Sequence, residues 1–206
     1  MVIYLSANIV TNASLFKKRI LLLFGSPHHV GNTFRLVMQL LEQLEENSFY
    51  LEQFDLFEMD LIPCTDCQNC EHGLCCYNHI DHYDDLIEAV QHSDIILLAS
   101  PVYCAGFPAP VKAMMDRAQQ FYVNQFDGRK NTFPQRKKGF LLMTGGNCGE
   151  RLQEYLTIPT KMFFDCLNVE LSGKVIVGNT DKTQKIEADF TDIIASINAG
   201  PIEEEE

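Results

Sequence analysis

Ile20-Leu21-Leu22-Leu23-Phe24-Gly25-Ser26-Pro27-His28-His29-Val30-Gly31-Asn32-Thr33 is the stretch on which the fold turns. Five apolar residues in succession describe a strand covered on both faces, and Gly25-Ser26-Pro27 stops it at a turn. Past Gly31-Asn32-Thr33 the period changes. Phe34, Val37, Met38, Leu41 and Leu44 recur at helical spacing as far as Asn47. A doubly buried strand that feeds a helix through a short loop is the opening of a parallel crossover unit.

The alternation continues outward from this stretch. Phe49 to Leu56 reads as a more polar strand at a sheet edge, and a cysteine-rich loop follows it. Asp84 or Asp85 opens a helix running to about His92, with Asp85 and Glu88 at capping-box spacing. Ile95 to Ala99 is a second wholly apolar strand that ends at Ser100-Pro101, and helical spacing resumes around Val111, Met114 and Met115. Phe140 to Met143 is a further buried strand, ending at Thr144-Gly145-Gly146. A helix from about Glu150, a strand around Leu171 to Val177 and a last helix with Ile186, Phe190, Ile193, Ile194 and Ile197 on one face complete the series. Alternating strands and helices with doubly buried strands predict an α/β protein: a doubly wound parallel sheet between two helical layers. Ligands of such sheets bind beyond the carboxyl ends of the strands, so the loops there are the places to look for chemistry.

Composition narrows the function classes. The 206 residues are 46% hydrophobic and 21% charged, which describes one ordinary globular domain and excludes a disordered, collagen-like or coiled-coil chain. Sixteen Lys+Arg against 28 Asp+Glu leave a net charge of −12, which repels phosphate backbones and anionic lipid, so neither nucleic acid nor membrane is an expected partner. No apolar run approaches the ~20 residues of a membrane span. Residues 1–18 read as an N-terminal extension; Asn8, Thr11, Asn12 and Ser14 interrupt it and its cations come last, at Lys17 and Lys18, the wrong polarity for a signal peptide. Residues 19–199 form the expected single domain and 200–206 an acidic tail. A cytoplasmic location follows as the expectation. The 8 cysteines then read as metal ligands, redox thiols or small buried hydrophobes before disulfides.

The first loop, Gly25 to Thr33, ends at a helix N-terminus, where unpaired backbone N–H groups and the positive end of the helix dipole suit a phosphate. The Ser26 and Thr33 hydroxyls and the Asn32 amide add donors. The loop matches neither the nucleoside-triphosphate nor the dinucleotide glycine pattern, so a monophosphate is the better ligand. A plain turn, with Gly31 supplying an awkward dihedral and Thr33 capping the helix, is the competing account. The second loop, Ser100-Pro101-Val102-Tyr103-Cys104-Ala105-Gly106-Phe107-Pro108, is apolar and stiffened by two prolines, a surface against which a planar ring could lie. The third, Thr144-Gly145-Gly146-Asn147-Cys148-Gly149, could let backbone approach that ring closely.

Gly25-Ser26-Pro27 with Gly31-Asn32-Thr33, then Asp84-Asp85, then Ser100-Pro101-Val102-Tyr103 leading to Lys112, Asp116 and Arg117, resemble the NAD(P)H-dependent FMN reductase and iron-sulfur flavoprotein branch of the flavodoxin-like fold. The resemblance covers roughly Lys18 to Val177. It implies a five-stranded sheet in the order 2-1-3-4-5 and a bound FMN. The FMN phosphate would lie on Ser26, His28, Gly31, Asn32 and Thr33. The isoalloxazine would lie against Pro101, Val102, Tyr103, Cys104 and Gly106, with its pyrimidine edge near Thr144, Gly145 and Gly146. His28-His29 stands where the family often carries Arg or Lys, so phosphate neutralisation leans on backbone and dipole. The implied activity is electron transfer from NAD(P)H through the flavin to a small-molecule or protein acceptor, a quinone, flavin, metal or iron-sulfur centre. The runner-up is a non-enzymatic electron carrier. No side chain need be a catalytic acid or base, because hydride chemistry belongs to the flavin N5. A homodimer or homotetramer with the flavin near a subunit boundary is also implied.

Cys64-x2-Cys67-x2-Cys70-x4-Cys75, with Cys76 adjacent, could hold a 4Fe-4S cluster or a zinc ion, or remain plain thiols. The spacing resembles the cluster motif of iron-sulfur flavoproteins. Cys104, Cys148 and Cys166 read as small buried side chains, and His72, His79 and His82 as exposed loop residues. Asp116 and Arg117 read as a structural ion pair. Arg129, Lys130, Arg136, Lys137 and Lys138 gather cations into one loop, which is either solvated surface or, through Arg129, Lys130 and Arg136, an aid to NAD(P)H capture.

Overall fold

A computed structural model describes residues 18–45, 48–72, 76, 81–126, 132–183, 185–199 and 202. In chain order these form β1 (Lys18–Phe24), α1 (Asn32–Leu41), β2 (Phe49–Asp55), a short 3-10 turn (Asn69–His72), α2 (Tyr83–His92), β3 (Ile95–Pro101), α3 (Ala109–Arg117), α4 (Gln119–Phe126), β4 (Lys137–Thr144), α5 (Glu150–Cys166), β5 (Val169–Val177) and α6 (Thr191–Asn198). The strands make one 5-stranded sheet in the order β2-β1-β3-β4-β5, every pair parallel, with the polar strand β2 at an edge. This is the flavodoxin-like arrangement expected from the sequence.

The unbroken apolar runs are explained by the two faces they serve. Leu21, Leu23, Ile96, Leu98, Leu141 and Met143 point to one side, where α2, α3 and α5 cover them with Leu86, Val111 and Leu156. Ile20, Leu22, Ile95, Leu97, Phe140 and Leu142 point to the other, under α1 and α6 with Leu36, Leu40, Ile193 and Ile197. Side chains alternate across a strand, so only a strand apolar at every position fills both layers. Each such side chain contributes about 1.5–3 kcal/mol by leaving water.

The boundaries depart from the sequence reading where side chains override periodicity. Helix α1 stops at Leu41, well before Asn47, and Leu44 reaches the core from a turn. The Asp85–Glu88 capping box does not form. Helix α2 starts at Tyr83 after His82, whose Nδ1 lies 3.0 Å from Asp85 Oδ2, and Asp81 Oδ1 accepts the Tyr83 N–H at 3.3 Å instead. Helix α4 has no counterpart in the sequence reading. The last helix begins only at Thr191, because Asp189 Oδ1 accepts the Thr191 N–H at 2.9 Å and starts it there. Ile186 and Phe190 are buried from the chain ahead of it.

Strand β4 opens at Lys137 rather than at Phe140. Lys137 is buried and donates from Nζ to Ser93 O at 2.7 Å and Gln91 O at 3.2 Å, while Lys138 Nζ donates to Ser196 O at 2.7 Å. Desolvation holds the Lys137 ammonium below its ordinary pKa. These cations are ties at the amino edge of the sheet, and Arg136 there pairs with Glu170 at 2.9 Å. The described part of the basic run is therefore remote from the strand carboxyl ends, and Arg129 and Lys130 lie outside the described residues. Residue 18 belongs to β1; the rest of the N-terminal extension and all of the acidic tail but residue 202 are outside the described residues. Among the described residues no helix is long and apolar enough to cross a membrane.

Candidate functional site

The carboxyl ends of β1, β3, β4 and β5 are tied into one surface by hydrogen bonds between their loops. Gly25 N–H donates to Ala99 O at 2.7 Å, joining the first loop to β3. Val102 N–H donates to Thr144 O at 2.8 Å, joining the second loop to the third. Thr33 Oγ1 and Thr144 Oγ1, both buried, lie 2.9 Å apart and join the first loop to the third. Two glycines permit this approach: a Cβ on Gly25 would collide with Val111, and one on Gly145 would lie 2.8 Å from Cys148 Sγ and 3.0 Å from Val102 Cβ.

The three loops differ in how their residues are held. In the first, α1 opens with Gly31 as N-cap and no side chain caps it, so its first-turn N–H groups face the loop with the dipole behind them. Ser26 is buried and its Oγ accepts the His28 N–H at 3.3 Å, whereas the His28 side chain is exposed. Asn32 Nδ2 donates to Thr180 O at 2.9 Å, which fixes the amide across the mouth of the site. The second loop is a two-residue hairpin: Tyr103 N–H donates to Gly106 O at 3.0 Å and Gly106 N–H to Tyr103 O at 2.8 Å. Its central residues, Cys104 (φ 49°) and Ala105 (φ 57°), are both left-handed, a conformation that costs a non-glycine residue about 1–3 kcal/mol. The hairpin leaves Tyr103 44% exposed and Cys104 exposed, so Cys104 is not the buried side chain expected. Cys148 is buried beside Gly145, and burial raises its thiol pKa.

A fourth loop belongs to the site and was missed in the sequence. After β5 the chain returns over the third loop: Thr180 N–H and Oγ1 both donate to Gly145 O at 3.0 Å, Asn179 N–H donates to Gly146 O, and a Cβ on Gly146 would lie 3.4 Å from Asp181 Oδ2. Gly178-Asn179-Thr180 ends a strand as the other loops do, and that was the available signal.

The cysteine segment sits on a buried clamp. Arg117 pairs with Asp81, their side chains 0% and 2% exposed, and Arg117 Cζ stacks 4.0 Å from the Tyr83 ring centroid. Asp81 Oδ2 also accepts the Ile62 N–H at 2.8 Å, so one carboxylate holds both ends of the segment that carries the cysteines. Asp116 turns instead to Lys112, which corrects the expected Asp116–Arg117 pair. Cys64 and Cys67 are exposed and Cys70 half-buried; burial raises the Cys70 pKa first, with Cys64 and Cys67 close enough to add to it. Among the described residues these three thiols do not gather within ligand reach of one another. Cys75 and His79 lie outside the described residues.

Known proteins are similar to this chain in sequence and in fold. A family model, NADPH-dependent FMN reductase, matches residues 18–170. An iron-sulfur flavoprotein of Methanocaldococcus jannaschii is 36% identical over 100 residues, 48% of this chain and 51% of that one. One from Archaeoglobus fulgidus is 33% identical over 96 residues, 46% of this chain and 43% of that one. The chain thus spans about half the length of these curated relatives. Among solved structures, an NAD(P)H:quinone oxidoreductase from Methanothermobacter marburgensis superposes with a TM-score of 0.60 at 18% identity, covering 85% of this chain and 88% of that one. The last likeness shows the fold alone. The family match covers β1 to β4 and the first three loops of the site, and by it the chain belongs to the NADPH-dependent FMN reductase family.

Proposed function

We propose that the protein is an FMN-dependent oxidoreductase that passes electrons from NAD(P)H to an acceptor. The observation that carries the reading is the meeting of an N-terminus without a side-chain cap on α1 with the apolar hairpin and the glycine loop, through the Thr33–Thr144 bond. When bound, FMN supplies the hydride and electron chemistry. The chain's own part is to bind and orient it. Either hydroxyl of the Thr33–Thr144 pair can donate; with Thr144 as the donor, the Thr33 O–H would be left for the phosphate, beside the backbone N–H groups of α1. The half-buried Pro101, Val102 and Gly106 offer a flat wall for a ring, and the exposed edge beside Tyr103 leaves room for a nicotinamide or acceptor. Gly145 and Gly146 let the third loop's backbone approach the ring edge.

Cys64, Cys67, Cys70 and Cys75 are the residues that would hold a 4Fe-4S cluster, which would relay single electrons. The support is the four-cysteine spacing on a segment clamped by Asp81 and Arg117, together with the iron-sulfur relatives. Tyr155, Ile158 and Met162, 61–63% exposed along α5, are the surface we assign to a second copy in a homodimer. Denaturing the purified protein and identifying the released chromophore, with iron and sulfide assays on anaerobic samples, tests both cofactors. FMN is expected; FAD or no flavin would overturn the reading, and iron without sulfide would overturn the cluster.

A further inference from the structure

Between the end of edge strand β2 and the first loop lies a cluster that the flavin reading does not use: His29, Asp55 and Glu58. Each offers one ligand atom, and the three lie within 4.8 Å of one another. His29 Nδ1 is 3.3 Å from Asp55 Oδ2, and His29 Nε2 is 3.5 Å from Glu58 Oε1. The Phe24 ring stacks on the imidazole, centroids 6.1 Å apart at 27°, and holds its plane.

A surface ion pair would need nothing more, but the buried carboxylate does. The Asp55 side chain is 9% exposed; Oδ1 accepts the Phe57 N–H at 2.9 Å, while Oδ2, closed off from solvent, meets no hydrogen-bond donor in good geometry. A buried carboxylate oxygen without a donor is costly, and it faces the other members of the cluster. Glu58, its side chain 69% exposed, is free to swing toward a common centre. One imidazole and two carboxylates make a hard to borderline donor set with positions left for water, suited to a first-row divalent cation and unlike the all-thiolate cysteine set.

We propose that His29, Asp55 and Glu58 bind one divalent cation of the manganese or zinc type, which pins the first loop to edge strand β2. The site uses none of the residues assigned to the flavin or to the cysteine cluster and stands whether or not either is correct.

The test is titration of the purified protein with Mn2+ alone, read by loss of the free-ion paramagnetic resonance signal and by thermal unfolding. Manganese is chosen because thiolates bind it poorly. One equivalent should bind and raise Tm. Asp55→Asn and Glu58→Gln should each weaken binding by at least about tenfold, a loss that removal of even an outer-shell partner commonly causes. Glu58→Gln, on an exposed side chain, guards against misfolding in Asp55→Asn, and Cys64→Ser with Cys67→Ser should leave binding unchanged. Absence of binding, or binding indifferent to Glu58→Gln as for an ion held by a phosphate or by the acidic tail, would overturn the proposal.

Discussion

Thr33 and Thr144, 111 residues apart in sequence, share a buried hydroxyl–hydroxyl hydrogen bond of 2.9 Å that joins the loop after β1 to the loop after β4. Replacing either by isosteric Val strands the other hydroxyl at a cost of about 1–3 kcal/mol, while removing both leaves no orphan. A double-mutant cycle by chemical denaturation should therefore give Thr33→Val/Thr144→Val a smaller loss than the two single losses added. Additive losses would mean that the bond is not formed in solution.

Asp81 and Arg117 form a pair that can be broken only at the cost of a buried, uncompensated charge. Arg117→Leu should destabilise by about 3–5 kcal/mol, seen by circular dichroism since the chain has no Trp. It should also free the chain near Ile62, so limited proteolysis should cut the cysteine segment first. A loss under about 1 kcal/mol would place the pair in solvent.

The cysteines should separate by reactivity. Exposed Cys104 should be alkylated quickly in the native protein, and Cys148 and Cys166 slowly, because burial raises both thiol pKa values, that of Cys166 to about 11 from 9.0. Mass mapping of labelled peptides reads this directly. The same shift has a stability consequence: between pH 9 and about 11 the unfolded chain has released the Cys166 proton and the folded chain still holds it, so stability falls as pH rises through that window. Cys166→Ala should flatten the fall; an unchanged slope would show the thiol to be accessible.

Asn32→Ala should weaken FMN binding about fivefold or more, the equivalent of one lost hydrogen bond of about 1 kcal/mol, through the amide itself or its tie to Thr180 O. Flavin fluorescence quenching on reconstitution of the apoprotein measures it. Equal affinities would take Asn32 out of the site.

The sheet was legible because each central strand carries an unbroken apolar run, Ile20 to Phe24, Ile95 to Ala99 and Phe140 to Met143, a pattern that burial on both faces explains. The three glycine- and proline-bearing loops were legible for the same reason, since they interrupt those runs. Tertiary contacts account for what was not. Asp189 starts α6 late although Ile186 and Phe190 keep the helical period. Lys137 and Lys138 look like solvated charge and are β4 residues whose ammonium groups reach carbonyls on neighbouring elements. Arg117 passes over adjacent Asp116 for Asp81, a partner that no local spacing discloses. The Thr180 loop was missed because its part is played mainly by backbone N–H groups, which every residue but proline carries.

Anaerobic titration of the purified, flavin-loaded protein with NADPH and with NADH tests the central claim most directly. The account predicts that at least one of them bleaches the flavin absorbance stoichiometrically with no other protein present. A flavin that stays oxidised with both, yet is reduced by dithionite, would contradict the account and identify a carrier that takes its electrons from a protein donor.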